Sequence, residues 1–394
     1  MTGANSGIGE VAARHLQACG HTLTVVCRSR DRADQSLDWI ADPNQILIGD
    51  LADLNAVKDM AHQLVLDGRQ FDVLVLNAGL QYAGDDRPRL SHQGFELTWA
   101  VNHLAHQYLL QLVLPLLQNS PRPRVVITAS EVHNPTTGGG RVGQPAGLGT
   151  LAGIERGLGA SMVDGTSPFS ADKAYKDSKL CNLLMGLELS HRQPQLPVLC
   201  WSPGLVIPRT KDGFFRESRK ANPWGQAVFG FIARDLLRLT EDPERAGNHL
   251  VALVLGQHDA PGFSYWSNHV VAPGKHIFVS TEPSAEATDL GQAHLLWQLS
   301  EDLIKTSSQT PARGVLILVD RTSSCTCRSH GMDHGKCPVA LLISIRDGHR
   351  TQRPEERACA AVLSALFIHP ALDRSNRRHR RAVAERGDWY CCRG

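Results

Sequence analysis

The first nine residues, Met1-Thr2-Gly3-Ala4-Asn5-Ser6-Gly7-Ile8-Gly9, constrain the fold of this 394-residue chain more than any other stretch. Gly3, Gly7 and Gly9 run directly into a helical apolar spacing at Val11, Ala12, Leu16 and Ala18. A glycine turn feeding a helix lets a dinucleotide pyrophosphate approach the backbone and sit at the helix N-terminus. There, unpaired N–H groups and the helix dipole favour an anion. A lone glycine triplet is a weak signal, and its weight comes from the ordered elements downstream of it.

Apolar runs recur at intervals, each closing on polar or small residues. Residues 21–27 end in Arg28, residues 45–49 in Asp50-Leu51, residues 71–76 in Asn77-Ala78-Gly79, and Arg124–Thr128 in Ala129-Ser130. A helical segment over 101–117 holds Asn102. Short apolar runs alternating with helical patterns predict an α/β domain over residues 1–300, a doubly wound parallel sheet with helices on both faces and cofactor across the strands' carboxyl ends. The 42% hydrophobic and 20% charged composition suits a large soluble core. The densest apolar stretch, 108–117, is broken by Gln111 and Pro115, well short of the roughly 20 apolar residues of a spanning helix. With no signal peptide before the glycine turn, the expected location is cytoplasmic. Cys19, Cys27, Cys181 and Cys200 lack framework spacing, which suits a reducing compartment.

The chemistry concentrates at Tyr175-Lys176-Asp177-Ser178-Lys179. Four-residue spacing on a helix puts Tyr175 and Lys179 on one face. An ammonium beside a phenol favours the phenolate and lowers a pKa that is otherwise roughly 10, so Tyr175 is expected as the proton donor and Lys179 as its tuner. The spacing also occurs in helices by accident, and the upstream elements are what give it meaning. Arg28, where an adenosine ribose would lie, pairs with a 2′-phosphate in a fork, whereas an acidic residue there would repel it. NADPH is therefore the expected cofactor, with Arg30 and Arg32 as alternatives for the role and a solvated surface arginine as the bland reading.

The ordered set T-G-x-x-x-G-x-G, N-A-G, a helix asparagine, a serine and Y-x-x-x-K resembles the short-chain dehydrogenase/reductase family. The resemblance implies cofactor contacts from Gly3, Asn5, Ser6, Gly7, Ile8, Gly9, Arg28, Asp50, Leu51, Asn77, Ala78, Gly79, Tyr175 and Lys179. It implies a catalytic four of Asn102, Ser130, Tyr175 and Lys179 and no metal. Ser130 would hydrogen-bond a substrate oxygen, Lys179 would grip the nicotinamide ribose, and Asn102 would hold a water leading from Lys179 to solvent. Asn77 would steady the sheet beside the adenosine.

A narrower resemblance, to light-dependent protochlorophyllide oxidoreductases, rests on residues 174–182, 147–155, 162–165, 102–104, 214–217 and 265–267 and on the long insertion between Ser130 and Tyr175. It implies light-driven, NADPH-dependent reduction of a tetrapyrrole pigment in chlorophyll biosynthesis. It also implies contact with a photosynthetic membrane from the periphery, and leaves oligomer formation open. Two departures keep a general NADPH-dependent carbonyl or alcohol oxidoreductase on another bulky apolar substrate as the alternative. Leu205 follows Pro203-Gly204 where that group carries a cysteine, and Asn77-Ala78-Gly79 replaces N-A-A. Cys181 reads equally as a substrate contact or a small buried helix residue. The glycine-rich insertion is expected to cover the site as a mobile lid. The apolar residues of 214–239, Trp224, Val228, Phe229, Phe231, Ile232, Leu236 and Leu237, fit a lid, a core helix or a membrane-touching segment.

Both ends of the chain stand apart. Family members carry an apolar central strand before the glycine turn, and here one residue precedes Thr2. The lost ladder bonds, at roughly 1 to 3 kcal/mol for each unpaired buried group, predict weak folding and poor cofactor binding relative to a chain extended by an apolar strand. From Pro311 onward, six of the ten cysteines and 14 arginines accompany a single lysine. Cys325, Cys327, His330, His334 and Cys337 are zinc-type donors without paired spacing, and the arginine run 374–381 lacks the aromatics of a base-stacking surface. The expectation is a disordered or non-native tail over 301–394 that binds no nucleic acid.

Overall fold

The computed structural model describes residues 1–207, 214–221 and 223–309, so the expectations for the tail from Pro311 onward lie outside the described residues. Strands β1 (Val25–Cys27) and β2 (Ile46–Ile48) pair in parallel. Strands β3 (Val73–Leu76), β4 (Arg124–Thr128), β5 (Pro197–Ser202) and β6 (Gly262–Ala272) form a second parallel ladder in that order, and β7 (Lys275–Ser280) adds an antiparallel edge. β4 is buried along its whole length and β5 nearly so, as continuous apolar strands covered on both faces should be. The predicted parallel α/β sheet is present. The first predicted run shrinks to Val25–Cys27 because His21 and Thr22 are exposed.

Two residues join the two ladders. Met1 and Thr2 lie between β1 and β3: the Val26 amide donates to the Met1 carbonyl at 3.0 Å, and the Thr2 amide to the Val75 carbonyl at 3.0 Å. These two residues bridge the two ladders. Packing holds β1 in place, since Val25 and Cys27 sit in one apolar cluster with Ala12, Leu16, Val75 and Trp201.

Helix Gly7–Ala18 packs its buried Ala12, Ala13 and Leu16 inward and lies against helix Pro243–Val254. Helix Ala171–Arg192 runs between the sheet and the last helix, Leu290–Gln309, and is buried on nearly every side, which explains why its sequence shows no apolar stripe. Its polar residues therefore need internal partners. The last helix carries the fold past the expected limit at residue 300. Leu296, Trp297 and Ile304 are buried, and Gln107 Nε2 donates to the Trp297 carbonyl at 3.0 Å.

Candidate active site

Thr2 ties the glycine turn to the end of β3. Its hydroxyl oxygen accepts from the Asn77 and Ala78 amides, both at 2.9 Å. Asn77 Nδ2 returns bonds to the Thr2 and Gly3 carbonyls at 3.3 and 3.2 Å, and its Oδ1 accepts from the Thr128 hydroxyl at 3.0 Å. Asn77 thus ties the glycine turn to the ends of β3 and β4. A Cβ on Gly9 would stand 2.0 Å from the Gly3 carbonyl oxygen, so no side chain fits between turn and helix. Gly7 has φ 57° and opens onto space, with nothing within 4 Å of where a Cβ would stand. Ser6 precedes the helix without a side-chain cap bond. The first-turn amides of Gly7–Ala18 thus face a cleft with no side chain over them, an arrangement that fits a dinucleotide pyrophosphate.

That cleft has a volume of about 1880 Å³. Asn5, Ser6, Gly7, Ile8 and Gly9 form its floor with Gly3, while Asp50, Leu51, Asn77, Ala78 and Gly79 line one wall. Asp50 is held by a bond from the Ala52 amide at 2.9 Å. Arg28, exposed just after β1, and Arg32 both line the adenosine end, whereas Arg30 does not. Of the three arginines named from sequence, Arg28 and Arg32 line the cleft.

Ser130, Tyr175 and Lys179 line the other half of the cleft. Asn102 does not reach the cleft surface. It is fully buried in a wide π turn, Ala100–Leu104, inside the helical stretch from Leu97 to Gln118. Its Oδ1 accepts from the Leu80 amide at 2.8 Å, and its Nδ2 donates to the Leu80 carbonyl and to the Ser178 hydroxyl, both at 3.0 Å. Asn102 therefore fixes the strand-end loop and the Tyr175 helix together. His106, with its pKa depressed to about 4 by burial, is neutral: the Thr2 hydroxyl lies 3.0 Å from Nε2 and the Asn102 carbonyl 3.0 Å from Nδ1. With Thr2 accepting two amides, its own proton goes to Nε2 and leaves the imidazole proton on Nδ1.

Tyr175 and Lys179 share a helix face as expected, with Lys179 Nζ 5.7 Å from the Tyr175 ring centroid. Their electrostatics differ from the expectation. Burial pulls Lys179 down to about 7, and its ammonium donates to the Thr128 carbonyl at 2.9 Å. Burial pushes the Tyr175 phenol above its usual value, opposed by its hydrogen bond with Ser130. The Ser130 hydrogen bond favours the phenolate, and burial, the larger effect, favours the protonated phenol.

Several site residues carry no motif in the sequence. His133 is buried and neutral, pulled by burial to about 4, and clamps Ser130: Nδ1 donates to the Ser130 carbonyl at 2.7 Å, and Nε2 accepts from the Ser284 amide at 3.1 Å. A histidine three residues past the serine is the only local signal of that role. The insertion expected as a mobile lid is tied down at many points. Lys173 bonds Asp177 at 2.6 Å and Asp164 at 3.2 Å, and the Leu148 amide donates to Glu286 at 2.8 Å. Cys181 is fully buried in the core and is not a cleft residue.

Phe214, Phe215, Arg216 and Glu217 line the mouth of the cleft, with the Phe214 ring 5.2 Å from that of Tyr175. Arg89 bridges to Glu217 at 3.0 Å and lies over the Tyr82 ring at 4.8 Å. Trp224, Val228, Phe231, Leu236 and Leu237 are exposed, which rules out a core helix for those residues; the side chains of Phe229 and Ile232 lie outside the described set. Among the described residues, no helix is long and apolar enough to cross a membrane.

A family profile described as short chain dehydrogenase matches residues 1–140. The chain is 31% identical over 319 residues to a chloroplastic protochlorophyllide reductase of Chlamydomonas reinhardtii, covering 78% of each. It is also 31% identical over 317 residues to a protochlorophyllide reductase of Avena sativa, covering 77% of this chain and 98% of the relative. A crystal structure of an uncharacterized protein from Mycobacterium paratuberculosis is similar at 27% identity and a TM-score of 0.54, covering 77% of this chain and 91% of that one. With the glycine turn, the Ser130, Tyr175 and Lys179 cluster and relatives of this identity and coverage, the chain belongs to the short-chain dehydrogenase/reductase family, an oxidoreductase family using nicotinamide cofactors.

Proposed function

We propose that this protein reduces protochlorophyllide with NADPH in a light-driven reaction. The observation that carries the reading is the size of the whole cleft together with the composition of its Tyr175 half. A volume of about 1880 Å³ exceeds the roughly 300–1,000 Å³ of common small-molecule pockets, enough for a dinucleotide and a large planar substrate together. The mouth beside Tyr175 carries Phe214 and Phe215, and flat aromatic faces suit a flat apolar ring system. The names of the relatives supply the pigment, and Arg28 and Arg32 at the adenosine end support NADPH over NADH.

When bound, NADPH supplies the hydride that goes to one carbon of a ring double bond. Tyr175 supplies the proton for the other carbon. Its raised pKa keeps the phenol protonated until the substrate carbon becomes basic, and Ser130 accommodates the phenolate that forms. Lys179, near 7, is able to pass a proton on and restore the phenol. Asn102 and His133 are buried away from the cleft surface and hold Tyr175's helix and Ser130 in register.

A carbonyl or alcohol substrate of similar bulk is the second reading, favoured by Leu205, which lines the cleft where the resemblance to the pigment enzymes implies a cysteine. One spectroscopic experiment separates them. Protein, NADPH and protochlorophyllide are mixed in darkness and then illuminated; a red shift of the pigment band requiring both light and NADPH is expected. Turnover of ketones with no pigment conversion would overturn the proposal.

A further inference from the structure

The segment between Ser130 and Tyr175 crosses the substrate half of the cleft, and one side chain holds its glycine-rich middle. Lys176, next to Tyr175 but on the adjoining helix face, is 5% exposed. Its ammonium donates to the carbonyls of Gly140 at 3.1 Å, Gln144 at 2.9 Å and Val142. An ammonium has three donors, so all are used on three alternate carbonyls of one loop. No carboxylate joins this set among the bonds Lys176 Nζ makes. The pattern is that of a cation fixing backbone, unlike Lys173 one turn away, which pairs with Asp164 and Asp177.

The loop so held is itself part of the cleft. Gly138, Gly139 and Val142 line it together with Tyr175 and Lys176. A short glycine-rich stretch has little side-chain packing to fix its path, and an unheld loop of this kind samples many conformations. The three carbonyl bonds replace that missing packing. Lys179 meanwhile points to the Thr128 carbonyl, so the two lysines on either side of the Tyr175 face hold different walls: Lys179 the strand end, Lys176 the insertion.

We propose that Lys176 is a positioning residue that fixes segment 138–144 as a rigid wall of the substrate compartment and thereby selects for a bulky, flat substrate. The inference deepens the proposed function and rests on it only for the identity of that substrate. Removing the ammonium leaves Tyr175, Lys179 and the glycine turn in place while the wall loosens.

The test uses the full chain and the variants Lys176→Met and Lys176→Arg. Hydrogen exchange of peptides spanning 138–144 should accelerate about tenfold or more in K176M, while peptides of helix Ala171–Arg192 keep their protection. The KM for protochlorophyllide should rise about tenfold, with the KM for NADPH within about twofold of the parent. K176R, which keeps the donors, should recover most of both effects. Unchanged exchange over 138–144 would overturn the proposal, as would pigment and NADPH KM values rising together. If the parent protein converts no pigment, the proposed function fails by itself, and the exchange measurement still decides the role of Lys176.

Discussion

The two halves of the cleft are built by different means. The cofactor half is made from residues close in sequence: the turn Gly3 to Gly9, the strand ends at Arg28 and Asp50, and the triplet Asn77-Ala78-Gly79. Backbone shape does most of its work, as the 2.0 Å gap between a Gly9 Cβ and the Gly3 carbonyl demonstrates. The substrate half is assembled from segments more than 100 residues apart, with Arg89 reaching Glu217 and His133 reaching Ser284. Its walls depend on buried charged and polar side chains. A site can thus read as a motif on one side and as a set of unrelated residues on the other, and damage to each side should have a different kinetic signature.

The largest expected effect falls on the substrate half. Tyr175→Phe removes the proton donor and should lower kcat by roughly 10²- to 10⁴-fold with little change in NADPH affinity, read by stopped-flow turnover and cofactor fluorescence. A variant that kept most of its turnover would show that the proton comes from elsewhere. Damage to the other half should reverse the pattern. Gly9→Val forces the turn off its helix; overpacking of this kind costs roughly 1 to 3 kcal/mol, and NADPH affinity should fall about a hundredfold while the folded variant retains pigment binding.

Acid should strike the joint between the halves. His106 links Thr2 of the glycine turn to Asn102 of the π turn, and burial holds its pKa at about 4. Below about pH 6.5 the unfolded chain's imidazole takes up a proton that the folded one refuses until about pH 4. Stability is therefore lost as pH falls across that window, by about 3 kcal/mol for a shift of this size. Thermal melts between about pH 7 and 4.5 should show the decline, and His106→Gln should flatten part of it; a flat melting profile would contradict the neutral, buried assignment. A smaller effect is expected at the adenosine end. Replacing Arg28 and Arg32 together by alanine should cut the preference for NADPH over NADH about tenfold, and no change in the ratio would move the 2′-phosphate elsewhere. The smallest effect belongs to the tail. Ending the chain after Gln309 should leave turnover unchanged, whereas ending it at residue 300 should destabilise the fold by removing the buried Ile304.

The cofactor floor was legible because a tight turn, a helix start and a strand end are local events with local residue requirements, visible at Gly3, Gly7, Gly9 and Asn77. Tyr175 and Lys179 were legible for the same reason, as helix spacing is local. Their electrostatics were not. The sequence put a tuning ammonium beside the phenol, but the fold buries both groups and turns Lys179 toward Thr128, so desolvation dominates both pKa values. The insertion looked like a lid because its glycines are visible in sequence and its three-carbonyl anchor is not.

By itself, then, the sequence determined the family and the glycine turn that opens the first helix, and it pointed to Ser130, Tyr175 and Lys179, since each rests on short-range geometry. The tertiary structure alone decided what surrounds them. It placed Asn102 in the core as a brace, gave His133 to Ser130, made Lys176 the anchor of a wall, and carried the fold to Gln309. Those roles depend on which distant residues are buried together, and burial sets both the partners a polar group must find and the cost of its charge.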